Sequence, residues 1–277
     1  MSRLKVALAQ LTSTADRAAS TAVACRLIGE AAKAGAQFVL TPEVTTFMGL
    51  DREAALAYAV TEDADPSIPE VRDAAARHGV WVLLGSAALK DEATGKLVNR
   101  SFLINDQGAI VARYDKIHLF DVDLGEGRSF RESDTYRPGD AAVVAATPWG
   151  KIGLTICYDI RFPYLYRAYG QAGVNFITVP AAFTPWTGAA HWHVLLRARA
   201  IETGAFVLAP AQTGDHGKGR QTYGHSLVVA PWGEVLADGG EPVGLTIADL
   251  DLDLVQQARA KVPAWGRDQK FTINSLT

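Results

Sequence analysis

LKVALAQL (4–11), an alanine-rich stretch (16–34) and QFVLT (37–41) open the chain as strand, helix and strand, and this βαβ unit decides the fold class. The outer runs are short, rich in Val, Leu and Phe, and bounded by turn residues, as strands are. Gly35 supplies a stop signal for the helix between them. Outward from this unit, strand-like runs recur at 80–88, 97–104 and 109–114, and a helical segment at 67–78 ends at Gly79. Segments 91–96 and 105–108 read as hairpin loops, so the sheet mixes parallel and antiparallel neighbours. After residue 150 the alternation returns. Strands are expected at 151–157, 175–179 and 205–210, with helices at 163–172, opened by Pro163, and at 190–203, ended by Gly204. A hairpin about Pro231, Trp232 and Gly233 and a strand at 243–248 follow. No Pro/Ser-rich linker, low-complexity tract or repeat divides the chain. The expectation is one α/β domain over 1–277, a four-layer α-β-β-α sandwich of two mixed sheets.

Composition narrows the function. A net charge of −3 with interspersed signs provides no basic stripe of the kind that phosphate binding requires, so nucleic acid is not an expected partner. No apolar run approaches the roughly 18 residues that span a bilayer, and MSRLKVALAQL passes into a strand pattern without a cleavage signature. A cytoplasmic protein is expected. Its two cysteines, Cys25 in the alanine-rich stretch and Cys157 at the end of a β-type run, are not expected to form a disulfide in a reducing compartment.

Three reactive residues stand at or near the ends of strand-like runs: Glu43 after QFVLTP, Lys116 after IVARYD and Cys157 after KIGLTI. Loops at strand ends bring side chains from several strands to one cleft. Singly, each has a plainer reading: Cys157 as a small buried hydrophobe, Glu43 as a cap, Lys116 as a solvated charge. Their surrounding words weigh against those readings. TPEVTTF (41–47), RYDKIHLFD (113–121) and GLTICYDIRFP (153–163) resemble, in order and separation, the signature blocks of the nitrilase or carbon-nitrogen hydrolase superfamily, whose members use a Glu-Lys-Cys triad. The likeness continues through PAAFT (180–184), residues 187–214 and YGHSLVVAPWGEV (223–235). These later blocks are most similar to the Nit branch, which contains deaminated-glutathione amidases and ω-amidases of 2-oxo acid amides. One departure is Tyr164, which follows RFP where the family usually carries a Glu.

The resemblance implies a cysteine amidase without cofactor or metal, acting on a small linear amide. Cys157 would be the nucleophile, Glu43 the general base, and Lys116 with the backbone N–H of Tyr158 the oxyanion donors. Glu132, sixteen residues after Lys116, matches a second family glutamate that positions the lysine; as a residue alone it could be a solvated loop carboxylate. Phe183, Thr184, His191 and Trp192 resemble pocket-lining positions. Arg161 is either a receptor for a substrate carboxylate or a structural ion-pair partner, and Arg128 and Arg131 are weaker candidates for the receptor. A zinc site on His191 and His193 is disfavoured because residues two apart on a helix point away from each other. No G-x-S-x-G elbow suggests a serine hydrolase, and His225 with Ser226 reads as structural. An N-carbamoyl amino acid hydrolase would use the same triad, and an inactive scaffold would retain the fold alone. The family also implies a homodimer or higher homo-oligomer, for which Tyr164, Tyr166 and Tyr169 offer an aromatic stripe that core packing would explain equally well.

Overall fold

The computed structural model describes residues 3–125 and 129–275. Its first sheet is built from β1 (Arg3–Gln10), β2 (Phe38–Leu40), β3 (Trp81–Lys90), β4 (Leu97–Ile104) and β5 (Ile110–Asp115). A short ribbon follows, β6 (Asp121–Asp123) with β7 (Ser129–Arg131). The second sheet takes β8 (Val143–Thr147), β9 (Gly150–Leu154), β10 (Phe176–Thr178) and β11 (Phe206–Ala209). After another ribbon, β12 (Thr213–Asp215) with β13 (Gln221–Tyr223), it is completed by β14 (Leu227–Val229) and β15 (Val235–Asp238). β16 (Gly244–Asp251) returns to pair with β1.

The two sheets share a design. Their orders are β16-β1-β2-β3-β4-β5 and β15-β14-β11-β10-β9-β8. In each, three central strands run parallel and the flanking pairings are antiparallel. Parallel neighbours need crossover helices, which cover the outer faces. α1 (Arg17–Lys33) and α3 (Ser67–His78) lie on the first sheet, and α4 (Pro163–Gln171) and α5 (Pro185–Thr203) on the second, with α2 (Arg52–Tyr58) and α6 (Asp253–Lys261) at the periphery.

The strand period of two sorts side chains between these layers. Leu4, Val6, Leu8, Phe38, Leu40, Leu83 and Leu103 belong to the core shared with the second sheet. Their neighbours Ala7, Val39, Val82, Leu84 and Phe102 pack instead with Ile28, Ile68 and Val71 of α1 and α3. The α/β sandwich expected from the sequence is therefore the one formed. Tyr166 and Tyr169 are fully buried in the core, which takes the aromatic stripe of α4 out of any exposed face; Tyr164 alone remains exposed. Seven of these elements had no counterpart in the sequence reading, namely α2, α6, β8 and the ribbon strands β6, β7, β12 and β13. α5 begins at Pro185 rather than at 190, because proline is tolerated where a helix has no N–H to bond.

One close approach sets the position of the loop after β2. At the bulge in β3, the Gly85 N–H donates to Thr41 Oγ1 at 3.0 Å. A Cβ at residue 85 would stand 2.0 Å from the Thr41 carbonyl oxygen and 2.4 Å from that of Pro42. Backbone cannot yield as a side chain can, so Gly85→Ala is expected to destabilise the protein by about 1–3 kcal/mol. Thermal unfolding checks this, and an unchanged midpoint would contradict it.

Candidate active site

The loop fixed by Gly85 carries Glu43, three residues past β2, and Lys116 stands immediately past β5. Both are buried, with Glu43 5% exposed and Lys116 2%. Glu43 Oε1 accepts from Lys116 Nζ and from Asn99 Nδ2, each at 2.9 Å, while Oε2 accepts from the Ala182 N–H at 3.0 Å. Lys116 Nζ also donates to Glu132, at 3.1 Å to Oε1 and 2.9 Å to Oε2. Glu132 Oε2 is held in turn by the Phe120 N–H at 2.6 Å. An ammonium has three donors, so with one N–H on Glu43 and one shared between the two Glu132 oxygens a third can be directed at a further acceptor.

Cys157 does not end a strand as the sequence suggested. β9 stops at Leu154, and Cys157 opens a 3₁₀ turn, Cys157–Arg161, with φ of +48°. That left-handed conformation is strained for a residue with a Cβ, and such strain clusters at functional sites. The Cys157 N–H donates to Pro180 O at 2.9 Å and the Asp159 N–H to Ile156 O at 3.1 Å. The N–H of Tyr158, at the second position of the turn, has no acceptor within the turn itself.

Asp159 locks this turn to the lysine loop. Its Oδ2 accepts from the Ile156 N–H at 2.8 Å and from Tyr114 OH at 2.7 Å. Its Oδ1 accepts from the His118 N–H at 3.0 Å and lies 2.6 Å from His118 Nδ1. His118 stacks on Phe162, and its Nε2 hydrogen-bonds to the Tyr164 hydroxyl. Where the family usually has a Glu after RFP, this chain thus has a phenol bonded to the histidine two residues past Lys116.

The electrostatics assign a resting state. Burial pushes the Glu43 carboxyl up, but the Lys116 charge and hydrogen bonds from Lys116, Cys157 and Asn99 outweigh it and hold the group below the usual glutamate range. Burial disfavours the charged Lys116, yet Glu132 and Glu43 hold its ammonium well above the ordinary value. Burial, followed by the Glu43 charge, pushes the Cys157 thiol well up, and Lys116 offsets only part of this. At neutral pH the site therefore holds a carboxylate, an ammonium and a protonated thiol hydrogen-bonded to Glu43.

These groups open onto a cavity of about 500 Å³. Its lining includes Glu43, Lys116, Glu132, Cys157, Tyr158, Phe183 and Thr184, all expected from the sequence, together with Arg131. Arg128 lies outside the described residues. Three expected lining residues fall elsewhere. His191 is exposed, because four residues of helix carry it roughly 6 Å beyond Thr187, which does line the cavity. Trp192 is buried behind Phe183 and donates Nε1–H to His225 O at 2.8 Å. Arg161 is not in the lining either; its guanidinium lies over the rings of Tyr158 and Phe183, 3.3 Å from His191 Nδ1. Asn99, Tyr136 and Arg220 line the cavity and were not singled out in the sequence. Asn99 had a signal, a polar residue inside the apolar run LVNRSFLI; Tyr136 and Arg220, in loops, had none.

A buried thiol, carboxylate and ammonium on a two-sheet α/β sandwich define a hydrolase of the acyl-transfer kind. The profile of the carbon-nitrogen hydrolase family matches residues 5–260, and the chain belongs to that family. It is 40% identical over 270 residues to a probable hydrolase nit2 of Schizosaccharomyces pombe, covering 96% of this chain and 98% of that one. It is 42% identical over 265 residues to the deaminated glutathione amidase of Homo sapiens, covering 94% and 80% respectively. The solved structure of Saccharomyces cerevisiae Nit3, described as a member of branch 10 of the nitrilase superfamily, superposes with a TM-score of 0.85 at 29% identity over 95% of each chain. The protein is an amidase that hydrolyses C–N bonds.

Replacing Asp159 by Asn leaves shape but withdraws acceptor capacity from four donors. Asp159→Asn is expected to lower unfolding free energy by about 1–3 kcal/mol, read by chemical denaturation. Stability equal to the wild type would show that the turn and the lysine loop hold together without it.

Proposed function

We propose that the protein hydrolyses a small carboxylate-bearing linear amide to the acid and the freed amine or ammonia, with deaminated glutathione, which would release cysteinylglycine, the leading substrate and the ω-amides of 2-oxo acids, which release ammonia, next. The observation that carries this reading is the buried Lys116 ammonium bridging Glu43 and Glu132 beside the Cys157 thiol at one cavity. The relatives named for deaminated glutathione support the choice of amide.

In the first half-reaction Glu43 takes the Cys157 proton as sulfur attacks the carbonyl carbon. With the thiol raised and the carboxylate lowered, proton transfer accompanies attack rather than preceding it. Charge developing on the carbonyl oxygen meets the remaining Lys116 N–H and the Tyr158 N–H; losing one such donor typically costs ~10²- to 10³-fold in rate. Protonated Glu43 then passes its proton to the leaving nitrogen, the amine (ammonia in the case of a primary amide) departs, and a thioester remains on Cys157. Water attacks that thioester with Glu43 again as base, releasing the acid and restoring the thiol. Glu132 positions Lys116.

The same reading takes the chain as one domain, supported by the extent of the family match. It places the protein in the cytoplasm as a homo-oligomer. Both cysteines are unpaired, and burial pushes the Cys25 thiol up to about 11, which leaves it inert. Among the described residues no helix is long and apolar enough to cross a membrane. Val194 and Ile201 are exposed on α5, an apolar edge suited to subunit pairing.

Release of cysteinylglycine from deaminated glutathione, and of ammonia from 2-oxoglutaramate, glutamine and an N-carbamoyl amino acid, with wild type and Cys157→Ala in parallel, tests the reading. Cys157-dependent turnover of either of the first two is expected; activity confined to the carbamoyl compound would replace it. Because the Glu43 carboxyl is held low, kcat/KM is expected to stay level down through neutral pH and to fall only below the ordinary glutamate value of about 4.3. An acidic limb centred well above that value would mean that Glu43 is not the base.

A further inference from the structure

The cavity has more positive charge than the Lys116 chemistry uses. Among the described lining residues, Arg52, Arg131, Lys218 and Arg220 are also cationic. Three of them are already occupied or peripheral. Lys218 Nζ pairs with Asp51 Oδ2 at 2.7 Å, and Arg52 Nε donates to the Asp134 carbonyl at 3.2 Å. Arg131 is exposed and stands opposite Asp121 in the β6–β7 ribbon, where its charge helps hold that carboxyl low.

Arg220 differs. It is only partly exposed, its Nε is buried without a hydrogen-bond partner, and no carboxylate among the described residues lies in ion-pair range. Its guanidinium sits 5.7 Å from the Phe130 ring, and its charge acts on Tyr136, a lining phenol that burial pushes well up. A guanidinium removed from water without an anion is unfavourable, and a bidentate carboxylate is the partner its fork geometry matches.

The segment presenting Arg220 is held before any ligand arrives. Arg220 N–H donates to Gly217 O at 3.0 Å, and its carbonyl accepts from the His216 N–H at 2.8 Å, closing the turn between β12 and β13. His216 anchors the turn, with Nδ1 2.7 Å from Ser13 O and Nε2 2.7 Å from Thr222 Oγ1. The Ser13 carbonyl can only accept, so Nδ1 carries the proton and Thr222 donates to Nε2. At Gly49 a Cβ would come 2.1 Å from the His216 carbonyl oxygen, so the loop after Glu43 packs directly on this turn. A pre-set arginine loses little freedom on binding.

We propose that Arg220 is a specificity-determining residue, which receives a carboxylate at the end of the substrate remote from the scissile amide. The inference rests on the amidase reading above and deepens it: the substrate class is amides whose acyl part ends in a carboxylate. A cavity of about 500 Å³ is in the range that holds such a molecule whole.

The test compares kcat/KM for deaminated glutathione and for its analogue with the 2-oxo acid carboxyl of the acyl part blocked as a methyl ester, in wild type, Arg220→Met, Arg220→Lys and Arg131→Met. The wild type is expected to prefer the free carboxylate by about 10- to 100-fold, the range of one charge-assisted hydrogen bond. Arg220→Met should bring the ratio toward one, chiefly through KM, Arg220→Lys should restore part of it, and Arg131→Met should keep it. The ratio is internal to each variant, so a general loss of folded enzyme does not imitate the effect. A wild-type preference retained in Arg220→Met overturns the role of Arg220 alone. A wild type inert toward both amides, including in the wider panel, overturns the substrate reading and this inference with it.

Discussion

The structure depends on an ammonium taken out of water. Lys116 is almost wholly buried, and it is kept there by carboxylates from two other loops, Glu43 and Glu132. Removing one partner of a buried pair typically costs about 3–5 kcal/mol, because the other charge is left without compensation. The loops after β2, after β5 and beyond β7 are therefore obliged to converge on one point, and the sandwich supplies the rigid strand ends from which they do so. Gly85 belongs to the same requirement: only a residue without a Cβ lets β3 pass close enough to the Thr41 and Pro42 carbonyls to set Glu43 over the lysine.

The thiol comes from the other sheet, and a second buried carboxylate joins it to the first. Asp159 holds the turn of Cys157 through the Ile156 N–H and the lysine loop through Tyr114 and His118. The site thus straddles the sheet–sheet interface, where the buried core shared by both sheets resists small displacements. The strain of the left-handed Cys157 backbone is sustained by that packing, together with the bond from its N–H to Pro180.

How much of this the sequence discloses follows from which forces are local. Strands with period-two burial and helices ended by Gly79 or Gly204 announce themselves, since caps and periodicity act within a few residues. The early start of α5 was hidden because PWTG reads as turn residues, although Pro185 fits the first position of a helix. α2 was hidden by its length of seven residues. Glu43, Lys116 and Cys157 were legible through the words around them. His191 and Trp192 were misplaced because position along α5 and helix phase decide where a side chain points, and Arg161 because its guanidinium stacks over Tyr158 and Phe183, and none of this is written in a motif. Arg220 and Tyr136 were silent because their place at the cavity arises from how separate loops fold together.

The charges arrange themselves by depth. Glu43, Lys116 and Glu132 sum to one net negative charge around the thiol, in a region where burial weakens screening. A substrate carboxylate brought next to the reacting carbon meets that charge and is repelled, whereas a carboxylate directed toward the β12–β13 turn meets Arg220, which has no carboxylate in ion-pair range among the described residues. An amide with its acid group at the far end is therefore oriented by both fields, amide inward and carboxylate outward. Reversing the molecule would place like charges together at one end and leave a guanidinium unpaired at the other. The negative charge that supplies a base for the chemistry thus also enforces the polarity of binding, and both follow from burying one lysine between two glutamates.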